Sequence, residues 1–172
     1  MTATAVVNTL TKVWKMAEDN TVFDVSTQVA NAIPEGADPF KDLTQGAEPN
    51  FFEWEWRGPG LIKADFWFHM RVNWTYGSKY RGGGGFITAC WPEIVNYNIW
   101  TPGYAIHING SVRYTQNVGT DERTPIAEIG LAMAITYNWL TPALGNSGGT
   151  CNFSLRGNGG GSYHYDDMSY EP

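Results

Sequence analysis

A chain of 172 residues is long enough for one domain with a real core, and its formal net charge of −6 comes without any basic stripe of the kind that displaces counterions from nucleic acid. Charged residues make up only 16% and aromatics 15%, so much of the surface must be neutral or apolar, a composition suited to pleated sheets and to contact with partners. Met1–Thr11 lacks the basic n-region and apolar core of a signal peptide, and no apolar run approaches the roughly 20 residues of a membrane span. The expectation is a soluble protein with no membrane partner.

In chain order, the first 20 residues come without a strong signal. Val6, Leu10, Val13, Trp14 and Ala17 have roughly helical spacing, while abundant Thr and Val suit an extended segment, so 1–20 reads as an N-terminal arm or short helix. Val22–Asn31 places Phe23, Val25, Thr27 and Val29 on one strand face, and the proline-bearing stretch Ile33–Asn50 reads as a loop. Phe51–Trp56 alternates Phe52, Trp54 and Trp56 with Glu53 and Glu55. After the breaker Arg57-Gly58-Pro59-Gly60, the even positions from Ile62 to Trp74 are all apolar, and the odd ones include Lys63, Asp65, His69, Arg71 and Asn73. A period of two over that length is a half-buried strand, because a helix would scatter Phe66, Phe68 and Met70 around its axis.

Phe86–Trp91 and Ile94–Trp100 read as two short strands, and Tyr104–Tyr114 as a long one with Ile106, Ile108, Val112 and Tyr114 on its apolar side. Ile129–Trp139 alternates Ile129, Leu131, Met133, Ile135 and Tyr137 with small or polar residues, and Thr150–Arg156 completes about eight strands. The predicted organisation is an all-β, eight-stranded antiparallel jelly-roll β-sandwich over 21–157, with a Gly-rich C-terminal tail over 158–172 that is free unless a neighbour holds it. Phe66, Phe68, Met70, Val72, Ile106, Ile108, Leu131, Met133 and Ile135 are its predicted core.

Chemistry-bearing residues are sparse. Among His69, His107 and His164 there is no His-x-His pair, and each predicted strand contributes at most one histidine, which excludes the clustered ligands of a cupin-type metal site. Cys90 and Cys151 do not make a disulfide framework and read as small buried hydrophobes, with one bridge between them left open. Asp65 and His69 share a strand face but lie roughly 13 Å apart at about 3.3 Å per residue, too far for a dyad. Glu53 and Glu55 have a spacing a glycosidase could use, yet same-face glutamates on a strand are ordinarily solvated. Gly82–Gly85 lacks the Lys-Ser/Thr and helix of a phosphate loop, and Ser147 lacks the helix of a nucleophile elbow. No catalytic, cofactor-binding or metal residue is nominated, and the expectation is a non-enzyme without cofactors.

The run Phe52-Glu53-Trp54-Glu55-Trp56-Arg57-Gly58 followed by a long alternating strand resembles the middle of picorna-like virus coat proteins. So does the polar stretch Thr75–Gly85 before the short apolar strand Phe86–Pro92. Ile129–Leu140, Thr141-Pro142, a Gly/Asn-rich loop and Cys151–Arg156 are similar to the last two strands of such coats, especially the smaller subunits of plant comovirus-like particles. The resemblance spans Phe52–Arg156 and rests on element order and turns. It implies a structural capsid subunit that joins other capsid subunits in an icosahedral shell, assembled in the host cytoplasm and resident in the virion. Packaged RNA enters as a partner on the resemblance alone, since no basic arm is present. Two further classes fit the residues. A carbohydrate-binding lectin would use Trp67, a large ring on an otherwise polar strand face, and a membrane-active β protein would use Val6–Ala17 as an amphipathic segment.

Overall fold

The computed structural model describes residues 5–18, 21–44, 46, 49–58, 66–100, 103–121, 124–139 and 146–166. Alternation of apolar side chains produces strands almost throughout: β1 (Ala5–Glu18), β2 (Thr21–Pro34), β3 (Asn50–Arg57), β4 (Phe66–Thr75), β5 (Ser78–Tyr80), β6 (Gly83–Ile99), β7 (Tyr104–Asn117), β8 (Ala127–Trp139), β9 (Asn146–Arg156) and β10 (Gly161–Asp166). There is no helix among the described residues. The architecture is all-β and compatible with a β-sandwich.

Several expectations need correction. The N-terminal segment is a strand rather than a helix, and β1 pairs with β2 from Ala5↔Pro34 to Glu18↔Thr21 without a register shift. Its Thr and Val content, not the loose helical spacing, decides the outcome. Phe86–Trp91 and Ile94–Trp100 are one strand, because β4 pairs with β6 continuously through Val72↔Pro92. Pro92 is tolerated there because β2 has already left the other side of β6 at Cys90, so no donor is needed on that side. Gly161–Asp166 is not free but forms β10 on the edge of β9. Lys63 and Asp65 lie outside the described residues.

The strands follow the order β10-β9-β8-β7-β2-β6-β4-β3, with β1 added on β2 and β5 on β6. A jelly roll is two Greek keys, in which a later strand returns beside an earlier one. Here β7 to β10 form a plain antiparallel meander, as do β3, β4 and β6. What joins the two meanders is β2. Val22–Ser26 pair in parallel with Ala105–Asn109 of β7, while Ala30 and Ala32 pair antiparallel with Cys90 and Ile87 of β6.

The two meanders face each other. Phe66 of β4 meets Tyr104 and Tyr137 edge-on at 5.3 and 5.1 Å, and Trp54 of β3 meets Phe153 of β9 at 4.8 Å. All nine predicted core residues are buried. At one end the layers are tied by backbone: Gly77 N–H donates to the Gly157 carbonyl (2.8 Å), and Gly85 N–H to the Pro125 carbonyl (2.8 Å). Gly85 and Gly157 approach so closely that a Cβ on Gly157 would collide with the Gly85 carbonyl.

Candidate functional site

Each layer presents an outer polar face. On the β3-β4-β6 layer, cross-strand register puts Glu53 opposite Arg71 and Arg71 opposite Glu93. Arg71 Nε donates to Glu53 Oε1 at 2.7 Å and its Nη2 reaches the same oxygen, while Nη1 lies 3.4 Å from Glu93 Oε1. Asn73 Nδ2 donates to Glu93 Oε1 at 3.1 Å, His69 Nε2 lies 3.4 Å from Glu53 Oε2, and the Phe51 ring sits 4.7 Å from the Arg71 guanidinium. The hydrogen bond from Arg71 holds the Glu53 carboxyl below the usual range, and Glu55 pairs with Arg57. Arginine-paired carboxylates favour the ionised form, the opposite of the tuning a general acid needs.

The remaining sequence candidates are scattered. His107 is exposed on β7 opposite Thr136, and His164 is exposed on β10 opposite Asn152. No group of three or more His, Cys, Asp or Glu that could hold a metal occurs among the described residues. Cys90 and Cys151 are buried free thiols, which closes the option of a bridge, and burial pushes the Cys90 thiol up to about 12. A thiol that buried stays protonated at neutral pH and is inert. Ser147 pairs with Tyr137 as an ordinary residue of the β8–β9 ladder, and Gly83–Gly85 open β6. Trp67 is half-buried, in register with Arg57 and Asn98.

The more organised face is the other one, on β7 to β10. Its centre is Glu128, only 3% exposed although it is a carboxylate. Arg156 Nε donates to Glu128 Oε2 at 2.6 Å; Gln116 Nε2 and the Tyr114 hydroxyl donate to Oε1 at 2.8 and 3.1 Å. Burial pushes the Glu128 carboxyl up, but the donors, led by Arg156 and Gln116, outweigh it and hold the group below its usual range. Burial and the adjacent Glu128 charge raise the Tyr114 phenol.

The ladder between β7 and β8 shifts register between Val112↔Leu131 and Tyr114↔Gly130. That bulge corrects the placement of Tyr114 on the apolar side of its strand. One extra residue, Arg113, turns Tyr114 outward, where it is 44% exposed. The Tyr114 ring lies over Gly130, where any Cβ would collide with it. Beside the ring runs an open groove of about 550 Å3 lined by Arg113, Tyr114, Asn152, Ser154, Ser162 and His164, with Gly130 and Leu131 beneath.

Sequence reasoning missed this face. Its readable trace is the row opposite the apolar side of β8, Glu128, Gly130, Ala132 and Ala134, where small residues leave room for neighbours to lie flat. No protein-family model, curated protein or solved structure matches the chain.

Proposed function

We propose that the chain is a structural, non-enzymatic subunit that joins other subunits in a closed protein shell, as the coat-protein resemblance implies, and that it joins them through a sheet edge. This reading keeps the two-layer sandwich of such coats and does not depend on their strand order. The observation that supports it is the outer edge of β1. One side of β1 pairs with β2 over all 14 of its residues, and among the described residues no strand pairs with the other side. At about 3.3 Å per residue that edge is roughly 46 Å of unpaired N–H and C=O groups. Natural proteins blunt exposed edges with bulges, prolines, charges or short strands. The β1–β2 register has no bulge, β1 has no proline, and its Ala5–Thr11 half carries no charge. A long edge without a bulge, uncharged over Ala5–Thr11 and carrying Lys12, Lys15 and Glu18 only in its second half, is a template for strand addition, and a shell would cover it with a neighbouring subunit.

The test exploits the alternation of N–H directions along a strand, which makes adjacent residues present their donors to opposite edges. Thr9→Pro and Leu10→Pro therefore separate the two sides of β1. The native protein is expected to sediment as an assembly and to give particles in negative stain. One of the two variants should remain folded and fail to assemble, while the other loses the β1–β2 pairing. A wild-type protein that stays monomeric at high concentration, or particles that survive both substitutions, would refute the proposal.

A further inference from the structure

We infer that the groove on the outer face of β7 to β10 is a binding site for an acidic carbohydrate, with a sugar ring seated against Tyr114 and an acidic substituent met by Arg113. The inference is independent of the assembly reading, because the groove lies on β7 to β10 and the proposed joining edge on β1.

The first support is a positioned aromatic. Tyr114 is exposed, yet it is not a loose surface ring: Gly130 supports it from below, and its hydroxyl is tied to the buried Glu128, which Arg156 and Gln116 anchor in turn. A ring held in place before the ligand arrives loses little conformational entropy on binding. Its open face is apolar, as the C–H face of a pyranose requires.

The second support is what surrounds the ring. Register aligns Tyr114 with Gly130, Gly130 with Ser154, and Ser154 with Ser162, a line running across β7, β8, β9 and β10. Three strand spacings of about 4.8 Å make that line roughly 14 Å, the scale of a short oligosaccharide rather than a single small ion. Asn152 and His164, also in register, border it. Hydroxyl, amide and imidazole groups are donors and acceptors of the kind that match sugar hydroxyls, and a groove of about 550 Å3 falls in the range of small-molecule sites.

Charge selects the class of sugar. The chain carries −6 overall, but no Asp or Glu lines the groove, and its titratable groups include Arg113 and His164. Among the described residues Arg113 has no ion-pair partner, while the nearby Glu128 is already neutralised by Arg156. The bulge matters again here: neighbouring strand residues ordinarily point to opposite faces, and the extra residue lets Arg113 and Tyr114 line the same groove. An aromatic platform beside a guanidinium with no ion-pair partner among the described residues fits a uronate or a sulfated sugar better than a neutral one.

The test is calorimetric titration of the full chain with trigalacturonate, a heparin tetrasaccharide and maltotriose. At least one acidic probe is expected to bind, about tenfold or more tighter than maltotriose, and to weaken with added salt. Tyr114→Ala and Arg113→Ala should each weaken it by about tenfold or more, while Tyr114→Phe, which keeps the ring but loses its tie to Glu128, should weaken it less than Tyr114→Ala does. Trp67→Ala should leave binding unchanged, and thermal melts of every variant check that the sandwich remains folded. Failure of all three probes to bind, binding that survives Tyr114→Ala, or binding lost with Trp67→Ala would overturn the inference. So would preferential binding of poly(U) RNA that depends on Tyr114 and Arg113.

Discussion

Replacing Phe68 by Ala tests the register of the whole β3-β4-β6 layer. Phe68 has no exposed surface, stacks on Tyr97 at 6.0 Å and meets Phe66 at 5.8 Å. Removing the ring forfeits a transfer free energy of about 2–3 kcal/mol. A residual cavity of roughly 80 Å3 would add about 2 kcal/mol at about 24 cal/mol per Å3, and partial collapse of the site brings the expected loss to about 3–5 kcal/mol. For a domain of this size each kcal/mol lowers Tm by about 2–4 °C, so the variant should melt roughly 6–20 °C below wild type. Urea unfolding followed by tryptophan fluorescence gives the same quantity as a lower midpoint at unchanged slope. Arg71→Ala is the control on the opposite face of the same strand, where the side chain is 31% exposed and its partners are surface carboxylates. Its loss should be several-fold smaller. Equal losses at the two positions would mean that β4 is displaced by one residue and that the faces are exchanged.

Glu128→Gln should cost about 1–3 kcal/mol near neutral pH, because an anion that accepts from Arg156, Gln116 and Tyr114 is replaced by a neutral amide. The folded pKa of Glu128 lies below its ordinary 4.5, so its contribution is complete above that value and is lost as pH falls through the folded pKa. The gap between variant and wild-type melting temperatures should therefore narrow on acidification below about pH 4.5, and a gap that widens would contradict the assignment. Gly157→Ala should destabilise by about 1–3 kcal/mol, since the new Cβ meets the Gly85 backbone rather than a flexible side chain. Gly160→Ala, whose Cβ meets only side-chain atoms, from 3.2 Å outward, should melt close to wild type, and a similar loss at both would place the closure elsewhere.

How much of this could be read beforehand follows from which forces are local. Alternation along Phe66–Val72, Ile106–Ile108 and Leu131–Ile135 named core residues correctly because burial follows a period of two on any half-buried strand. Alternation says nothing about which strand lies beside which, so the insertion of β2 between β6 and β7 was not legible, and a jelly roll and two joined meanders look alike along the chain. The candidate groove was hidden for a sharper reason. Its aromatic, Tyr114, continued the apolar series of β7, and only the bulge at Arg113 reverses its direction. Glu128 stood just outside the readable run of β8 as an ordinary charge, and its burial depends on Arg156 arriving from β9. Trp67, conspicuous in the sequence, is half-buried at the start of its strand and stands apart from the groove on the opposite layer.

The bridging position of β2 also constrains how the chain comes to be folded. Val22 pairs with Ala105, roughly 80 residues later, and Ala32 pairs with Ile87. During synthesis the β1–β2 hairpin emerges before β6 and β7 and must wait for them before either layer can receive it. Its final pairing closes a long loop and is partly parallel, both of which slow folding. The β3-β4-β6 and β7 to β10 meanders, whose strands pair with near neighbours in sequence, should form before it. Docking of the hairpin then becomes the late step that commits the two layers to one another, and until it is complete the edge of β2 not covered by β1 remains open to the wrong partner.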